Sequence, residues 1–162
     1  MVTTDDLFTH TENKTGDGKS VRIDNTIVCS DKRSKSIYRY INQSRQSVAK
    51  IRVDGGLVSD TSTKKCDWLL VNKDSATAFF IELKGSNLTR AIEQINATLD
   101  LLWTGIKKTG IRTANARIVL SKIPRPHHMS NDKRILEQRL KKNEYGGGTV
   151  RIEPPKEMPE TF

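Results

Sequence analysis

With 162 residues, the chain is long enough to form one domain with a sizeable core, and its 28 lysines and arginines outnumber 19 acidic residues to give a net charge of +9. A small domain this basic tends to bind a polyanion, because each cation that meets a phosphate releases condensed counterions, so nucleic acid is the leading candidate partner. Two cysteines, Cys29 and Cys66, do not make a disulfide framework, and no apolar run approaches the roughly 20 residues that cross a bilayer, so we expect a cytoplasmic protein that does not enter the membrane.

The first third of the chain predicts a flexible arm, a helix and a strand. Residues 1–20 are rich in Thr, Asp, Gly and Lys and predict a flexible N-terminal segment. Residues 35–45 predict a short helix, and residues 47–53 have strand character followed by the turn residues 54–56. We expect this strand to be the first of a meander whose next two strands lie in residues 66–84.

Residues 66–84 predict a β-hairpin that brings two carboxylates together. With a loop over residues 72–77, antiparallel pairing places Asp67 opposite Glu82, with Cβ atoms roughly 4.5–5.5 Å apart. Two like charges repel unless a cation lies between them, and Mg²⁺ favours such oxygen ligands. Lys84 lies on the same face as Glu82 and is placed to orient or deprotonate an attacking water. A one-residue shift would move Asp67 to the other face, and the sequence leaves that register open.

An amphipathic helix and a buried strand follow the hairpin. The apolar stripe over residues 87–103 predicts a helix that ends near Gly105 and Gly110. Gln94 lies at the border of this stripe, within reach of the hairpin's charged end. Residues 115–123 predict a strand of β-branched type.

The remaining segments predict a basic helix, an edge strand and a tail. Residues 129–143 predict a charged surface helix with three apolar anchors, Ile135, Leu136 and Leu140. We expect this helix to present Lys133, Arg134 and Arg139 outward. Residues 149–153 predict a short edge strand, and the proline-rich residues 154–162 an extended C-terminal tail. We expect residues 21–153 to form a single domain.

The order Asp67, then Glu82-Leu83-Lys84, then an amphipathic helix resembles the PD-(D/E)XK nuclease superfamily, which has the restriction-endonuclease-like fold. The resemblance covers roughly residues 35–120. It implies an α/β fold with a mixed sheet, built as a helix, a three-strand antiparallel meander, a helix and a strand, here followed by a C-terminal basic helix.

The same resemblance implies roles for individual residues. Asp67 and Glu82 would be metal ligands, the main-chain carbonyl of Leu83 a further ligand, and Lys84 the catalytic lysine. Gln94 stands where some branches of the superfamily add a glutamine. The expected ion is Mg²⁺, with Mn²⁺ able to substitute.

Two positions depart from the superfamily pattern. Cys66 replaces the proline before Asp67, and residues 34–47, the expected first helix, contain no Asp or Glu. The site would then hold one metal ion rather than two, unless Asp54 or Asp31 replaces the missing acid.

These features predict a Mg²⁺-dependent endonuclease that cuts DNA rather than RNA and for which a homodimer is a reasonable expectation. The alternative is a module of the same fold that binds nucleic acid without cutting it. Basic side chains concentrated in residues 31–52 and 121–143 would form the walls of a cleft. The expected nucleic-acid contacts are Lys64, Lys65, Arg90, Arg125, Lys133 and Arg134, whereas Trp68 and Trp103 are expected in the core.

Overall fold

The computed structural model describes residues 19–84, 86–122, 131–153 and 157–161, and it has the mixed α/β class that the sequence predicts. These residues form two sheets, two α-helices and one short 3₁₀ turn. The elements in chain order are β1 Lys19–Arg22, β2 Thr26–Ser30, β3 Ile37–Ile41, β4 Val48–Arg52, β5 Trp68–Asn72, β6 Thr77–Lys84, α1 Leu88–Lys108, β7 Thr113–Leu120, α2 Asn131–Leu140, the 3₁₀ turn Asn143–Tyr145, β8 Val150–Glu153 and β9 Glu157–Thr161.

The larger sheet contains the predicted meander. Its strand order is β1-β4-β5-β6-β7-β8, with antiparallel pairing from β1 to β6 and parallel pairing from β6 to β8. The predicted hairpin register is confirmed, because Leu69 pairs with Phe80 and Val71 pairs with Ala78. The described pairing ends at Trp68 and Ile81, and Asp67 lies in a bend just before β5, where its carboxylate bonds the Leu83 N–H. The predicted pairing of Asp67 with Glu82 therefore stays a prediction.

Helix α1 forms the crossover between the parallel strands β6 and β7, as the apolar stripe predicts. Asn87 caps it, with its side-chain oxygen accepting a hydrogen bond from the Arg90 N–H at 2.9 Å. The helix runs through Gly105 to Lys108 and exits at Gly110, whose φ of +91° favours glycine. A mid-helix glycine costs about 1 kcal/mol, and burial of the next residue, Ile106, offsets that cost.

The prediction of a helix over residues 35–45 is wrong, because this segment contains strand β3. Its burial alternates with a period of two, and Tyr38 and Tyr40 face inward. These tyrosines pair with Cys29 and Ile27 of β2, so the cross-strand partners decide the conformation. In the described part of the chain, no helix precedes β4.

Two hydrophobic clusters lie on opposite faces of the larger sheet. On one face, Leu69, Val71 and Phe80 pack with α1 residues such as Ile95. On the other face, a second cluster joins the sheet to β2 and β3; its members include Ile27, Tyr38, Trp68, Phe79 and Ile81. Trp68 and Trp103 are both buried, as predicted. The sheet is therefore covered by helices on one side and by a small sheet on the other.

The predicted basic helix is present as α2, but two of its side chains differ from expectation. Leu136 and Leu140 are buried anchors, whereas Ile135 is 50% exposed and does not anchor the helix. The guanidinium of Arg139, which we expected to point outward, bonds Asp100 on α1 at 2.6 Å and the hydroxyl of Tyr145 at 2.7 Å. Arg139 therefore fastens α2 to α1.

Both ends of the described chain add strands. Of the predicted N-terminal segment, residues 1–18 lie outside the described residues, and Lys19–Arg22 pair with β4 as β1. The predicted edge strand is present as β8 beside β7. Within the predicted C-terminal tail, β9 is extended and pairs in parallel with β3. None of the helices in the described ranges is both long enough and apolar enough to cross a bilayer.

Packing of α1 on the sheet predicts a large difference between two aliphatic substitutions on this helix. Ile95 is fully buried, whereas Leu101 is 50% exposed. We expect Ile95→Ala to lower the free energy of unfolding by about 2–5 kcal/mol and Leu101→Ala to lower it by less than about 1 kcal/mol. Urea unfolding followed by circular dichroism measures both, and equal losses would contradict the packing described.

Candidate functional site

A cavity of about 580 Å³, here called the central cavity, lies where β5 begins and β6 ends. Asp67, Leu83 and Gln94 line it together with Asp31 and Arg33 of the β2–β3 turn. The cavity therefore collects residues from both layers that cover the larger sheet. Three of the predicted metal-binding and catalytic residues meet there, and the predicted nucleic-acid contact Arg90 also lines this cavity.

Asp67 holds the end of the β5–β6 hairpin. Its side-chain oxygen Oδ2 accepts a hydrogen bond from the Leu83 N–H at 2.7 Å, and the residue is 9% exposed. It lies in a bend just before β5 and lines the central cavity together with Gln94 of α1 and Arg33 of the β2–β3 turn. The Asp67 carboxylate therefore lies at the edge of the sheet, where the two covering layers meet.

Glu82 is fully buried and does not line the central cavity. It shares a strand face with Phe80, so it faces the helix layer. Removing a carboxylate from water costs several kcal/mol unless opposite charge or hydrogen bonds compensate. The Asp67 carboxylate, which bonds the N–H of the next residue, Leu83, lies at the same end of β6.

Two side chains of α1, one turn apart, hold the chain that leads into Asp67. Gln94 Nε2 donates a hydrogen bond to the Lys65 carbonyl at 2.8 Å. Thr98 Oγ1 accepts one from the Cys66 N–H at 2.8 Å. Because i and i+4 residues stack on one helix face, α1 fixes the position of Asp67 through its preceding backbone.

Gln94 also carries an oxygen that lacks a partner. The hydrogen bond from Nε2 sets the orientation of the amide, so Oε1 is the opposite atom. Oε1 is buried and has no hydrogen-bond partner among the described residues, and Gln94 as a whole is 9% exposed. An unsatisfied buried acceptor costs about 1–3 kcal/mol. A water, a ligand donor or a cation at the cavity wall would remove that cost.

The oxygen donors fit a hard divalent cation. The predicted metal ligands are two carboxylates and a main-chain carbonyl. The amide oxygen Oε1 of Gln94 is a further uncharged oxygen of the kind that such cations accept. Among the described residues, no cluster of three or more His, Cys, Asp and Glu side chains is arranged to hold a metal ion. Asp31 and Asp54 line the central cavity but do not complete such a cluster with the hairpin acids.

Lys84 is the last residue of β6. Its backbone pairs with Leu120 of β7, at the same end of the sheet as the central cavity. Its side chain lies outside the described part of the structure, so its predicted catalytic role stays a prediction.

A second cavity of about 770 Å³, the outer cavity, adjoins the central one. The two share Asp54, Arg90 and Gln94 as lining residues. The predicted nucleic-acid contacts Lys64, Lys65 and Arg90 all line the outer cavity. The two cavities therefore adjoin along the N-terminal end of α1, and together they are here called the cleft.

The predicted basic contacts differ in their surroundings. Lys64 is exposed and pairs with Glu93 at 2.7 Å, and Arg90 is exposed. Lys65 is only 4% exposed, and its ammonium bonds the Asp60 carbonyl and lies 3.7 Å from Asp54. Its buried position differs from the exposed phosphate contact that we expected.

The predicted contacts on α2 lie beside the outer cavity. Thr89, which lines that cavity, donates a hydrogen bond to Asp132 at 2.9 Å, so the first turn of α2 sits against the first turn of α1. Lys133 pairs with Glu137 at 3.4 Å, and Arg134 is exposed. Arg125 lies outside the described residues.

From the β2–β3 turn, the sequence named only Asp31 as a candidate for the site and missed the three neighbouring residues that line it. Asp31, Arg33, Ser34 and Lys35 all contribute to the wall of the central cavity. The concentration of basic residues in residues 31–52 indicated that this segment could line the site. Because a helix was expected over residues 35–45, the sequence did not predict the turn that brings these side chains to the cavity.

No protein-family model matches the chain, and no curated protein or solved structure matches it either. The resemblance to PD-(D/E)XK nucleases remains a prediction from the residues and their order.

The two buried thiols predict a loss of stability at alkaline pH. Burial raises the pKa of Cys29 from 9.0 to about 12, and burial likewise raises the pKa of Cys66, with Glu82 adding to the effect. Folding therefore favours the protonated thiols, and their contribution to stability is present below pH 9 and lost as pH rises toward 12. We expect the free energy of unfolding to fall more steeply above about pH 9 in the wild type than in Cys29→Ala/Cys66→Ala. Urea unfolding across this range measures it, and identical slopes would contradict the expectation.

The contact between Asp67 and Leu83 predicts a difference between two substitutions of one residue. Asp67→Ala leaves the buried Leu83 N–H without its acceptor, which costs about 1–3 kcal/mol, whereas Asp67→Asn retains an oxygen at that place. We therefore expect Asp67→Ala to unfold at lower urea concentration than Asp67→Asn. Since both remove the same charge, equal midpoints would show that this hydrogen bond does not stabilise the hairpin.

Proposed function

We propose that the protein is a metal-dependent endonuclease that hydrolyses phosphodiester bonds in DNA. The observation that carries this proposal is the position of Asp67, whose carboxylate bonds the Leu83 N–H next to Glu82 and lines a cavity together with three exposed cations, Arg33, Lys35 and Arg90. Carboxylate oxygens are ligands that Mg²⁺ favours, and exposed cations along the cleft suit a polyanion.

We further propose that the fold is a variant of the restriction-endonuclease-like arrangement. The sequence of the antiparallel meander β4-β5-β6, the crossover helix α1 and the parallel strand β7 supports this. The variant would lack the first helix of that arrangement in the described part of the chain, where β3 takes its place.

The proposed roles follow from position. Asp67, Glu82 and the Leu83 carbonyl would hold Mg²⁺, or Mn²⁺ in its place. When bound, such an ion supplies Lewis-acid stabilisation of the phosphate and lowers the pKa of a nearby water. Gln94 Oε1 would accept a hydrogen bond from the attacking water and orient it. Lys84 would help to deprotonate that water or balance the charge that develops on the phosphate.

The substrate would lie in the cleft formed by the outer and central cavities. Arg90 lines both cavities and is exposed, so it is well placed to contact a phosphate. One site per chain cuts one strand at a time, so cleavage of both strands of a duplex would use two chains, and we propose a homodimer for that task.

One observation favours a second candidate, a nucleic-acid-binding module without catalysis. Strand β3 replaces the helix that would supply a further acid, and the described residues contain no three-acid metal cluster. This candidate predicts salt-sensitive binding without cleavage, and binding that Asp67→Asn leaves unchanged.

Cleavage assays with single-stranded and duplex DNA and RNA, in Mg²⁺ or Mn²⁺, test the proposal. We expect DNA cleavage that falls by at least about 100-fold in Asp67→Asn and in Lys84→Ala, since each removes a group that acts on the reacting phosphate. Asp67→Asn is preferred to the alanine variant because it retains an acceptor for Leu83. The matched control is Asp74→Asn, the same change in the exposed turn at the far end of the hairpin, which should cut at the wild-type rate.

Calorimetric titration with Mn²⁺ in the absence of nucleic acid gives a readout independent of activity. We expect binding by the wild type and by Asp74→Asn, and loss of binding in Asp67→Asn. If the wild type binds DNA but neither cleaves it nor binds Mn²⁺, the endonuclease proposal is wrong and the nucleic-acid-binding module is favoured.

A further inference from the structure

A third cavity of about 420 Å³, here called the basic cavity, lies beside the central cavity at the β2–β3 turn. It is lined by four cationic side chains, Lys32, Arg33, Lys50 and Arg52, and by Asp31 as its one acid. The central and basic cavities share Asp31 and Arg33. None of the four cations was singled out as a nucleic-acid contact from the sequence.

Strand alternation and one indole ring position two of these cations. Lys50 and Arg52 are two residues apart on β4 and therefore emerge on the same face. Trp68 pairs with Arg52 in the neighbouring strand, and its ring centroid lies 4.5 Å from Lys50 Nζ and 6.0 Å from Arg52 Cζ. Such cation–π contacts hold both charged groups against the indole ring.

The wall itself is rigid. Trp68 is 6% exposed and donates a hydrogen bond from Nε1 to the Ser30 carbonyl at 3.2 Å, so it fastens β5 to the end of β2. Arg52 Nε donates to the Asp54 carbonyl at 3.0 Å, which orients its guanidinium. The cations on β4 are thus held in place before any ligand arrives, which lowers the entropic cost of binding.

Among the described residues that line the basic cavity, four are cations and one, Asp31, is an acid. Asp31 accepts a hydrogen bond from the Arg33 N–H at 3.0 Å and lies 3.8 Å from Arg33 Nε, so its charge is directed to one cation. Burial lowers the pKa of Lys50, which indicates that its ammonium is partly desolvated. An anionic ligand would stabilise this group and its neighbours.

We propose that the basic cavity binds backbone phosphates of the nucleic-acid strand that occupies the cleft. The strand would run from the outer cavity, past Asp67 in the central cavity, to Lys50 and Arg52 in the basic cavity. Continuity carries this assignment, because each cavity shares lining residues with the next and a single small anion would fill only one of them. The inference rests on the proposed function in taking a polynucleotide as the ligand, but it does not require cleavage.

Salt-dependent binding of labelled single-stranded and duplex DNA, measured in EDTA so that no cleavage occurs, tests the proposal. The variants are Lys50→Gln and the turn variant Lys32→Gln/Arg33→Gln, whose residues are exposed and outside both clusters. For each phosphate contact removed, we expect the slope of log affinity against log salt to fall by about 0.9 for duplex or 0.7 for single strands. The affinity near 0.1 M salt should fall roughly 5- to 10-fold per contact.

The matched control is Lys107→Gln/Lys108→Gln, which removes two exposed cations at the far end of α1, roughly 26 Å along the helix from Arg90. This control should keep nearly the wild-type slope. Thermal unfolding of every variant shows whether it is folded, and the turn variant provides the test if Lys50→Gln is unstable.

The outcomes separate this inference from the nuclease proposal. Reduced slopes in the cavity variants support the inference even if the wild type cuts nothing. Slopes equal to that of the control overturn it, even if the wild type cuts DNA in Mg²⁺. A wild type that binds no nucleic acid overturns both proposals.

Discussion

The pairing of β5 with β6 is the constraint on which the rest of the structure depends. Strand side chains alternate between faces, so a shift of one residue would exchange every buried side chain of the hairpin between the two layers. In the observed register Leu69, Val71 and Phe80 face α1, Glu82 shares that face, and Asp67 lies in the bend just before β5. The same pairing therefore sets the main core and the position of the carboxylates. The bond from the Leu83 N–H to Asp67 closes the hairpin at this end.

The cleft arises because two layers meet at one edge of the sheet. Helix α1 covers one face and contributes Gln94 and Arg90, while the turn before β3 rises from the other face and contributes Arg33. The strands between them end in the acids, so the negative charge is central and the positive charge is peripheral. That arrangement suits the proposed metal-assisted reaction on a phosphate chain, in which cations at the rim would attract the polyanion and the acids would hold the metal.

Much of the fold and part of the site could be predicted because their signals are local. The apolar stripe of α1 and the spacing of Asp67 and Glu82 around a short loop are patterns within about 20 residues, and both were found in the structure. The conformation of residues 37–41 could not be predicted in the same way. An alternating five-residue segment gains its stability from Cys29 and Ile27 in the opposing strand. The residues of the segment itself do not indicate which strand it will pair with. The surroundings of Lys65 and Arg139 depend on similarly distant groups.

The sequence by itself determined the hairpin with its two acids and lysine, the amphipathic helix behind it, and the excess of positive charge. Periodicity and short-range pairing are sufficient for these, because their partners are close along the chain. Only the tertiary structure decided which cations line the cleft, since Lys32, Lys50 and Trp68 come together from three segments. It also decided that a strand lies where a helix was expected, because strand pairing is non-local. The carboxylate pair is thus a property of one hairpin, whereas the cavity around it belongs to the whole fold.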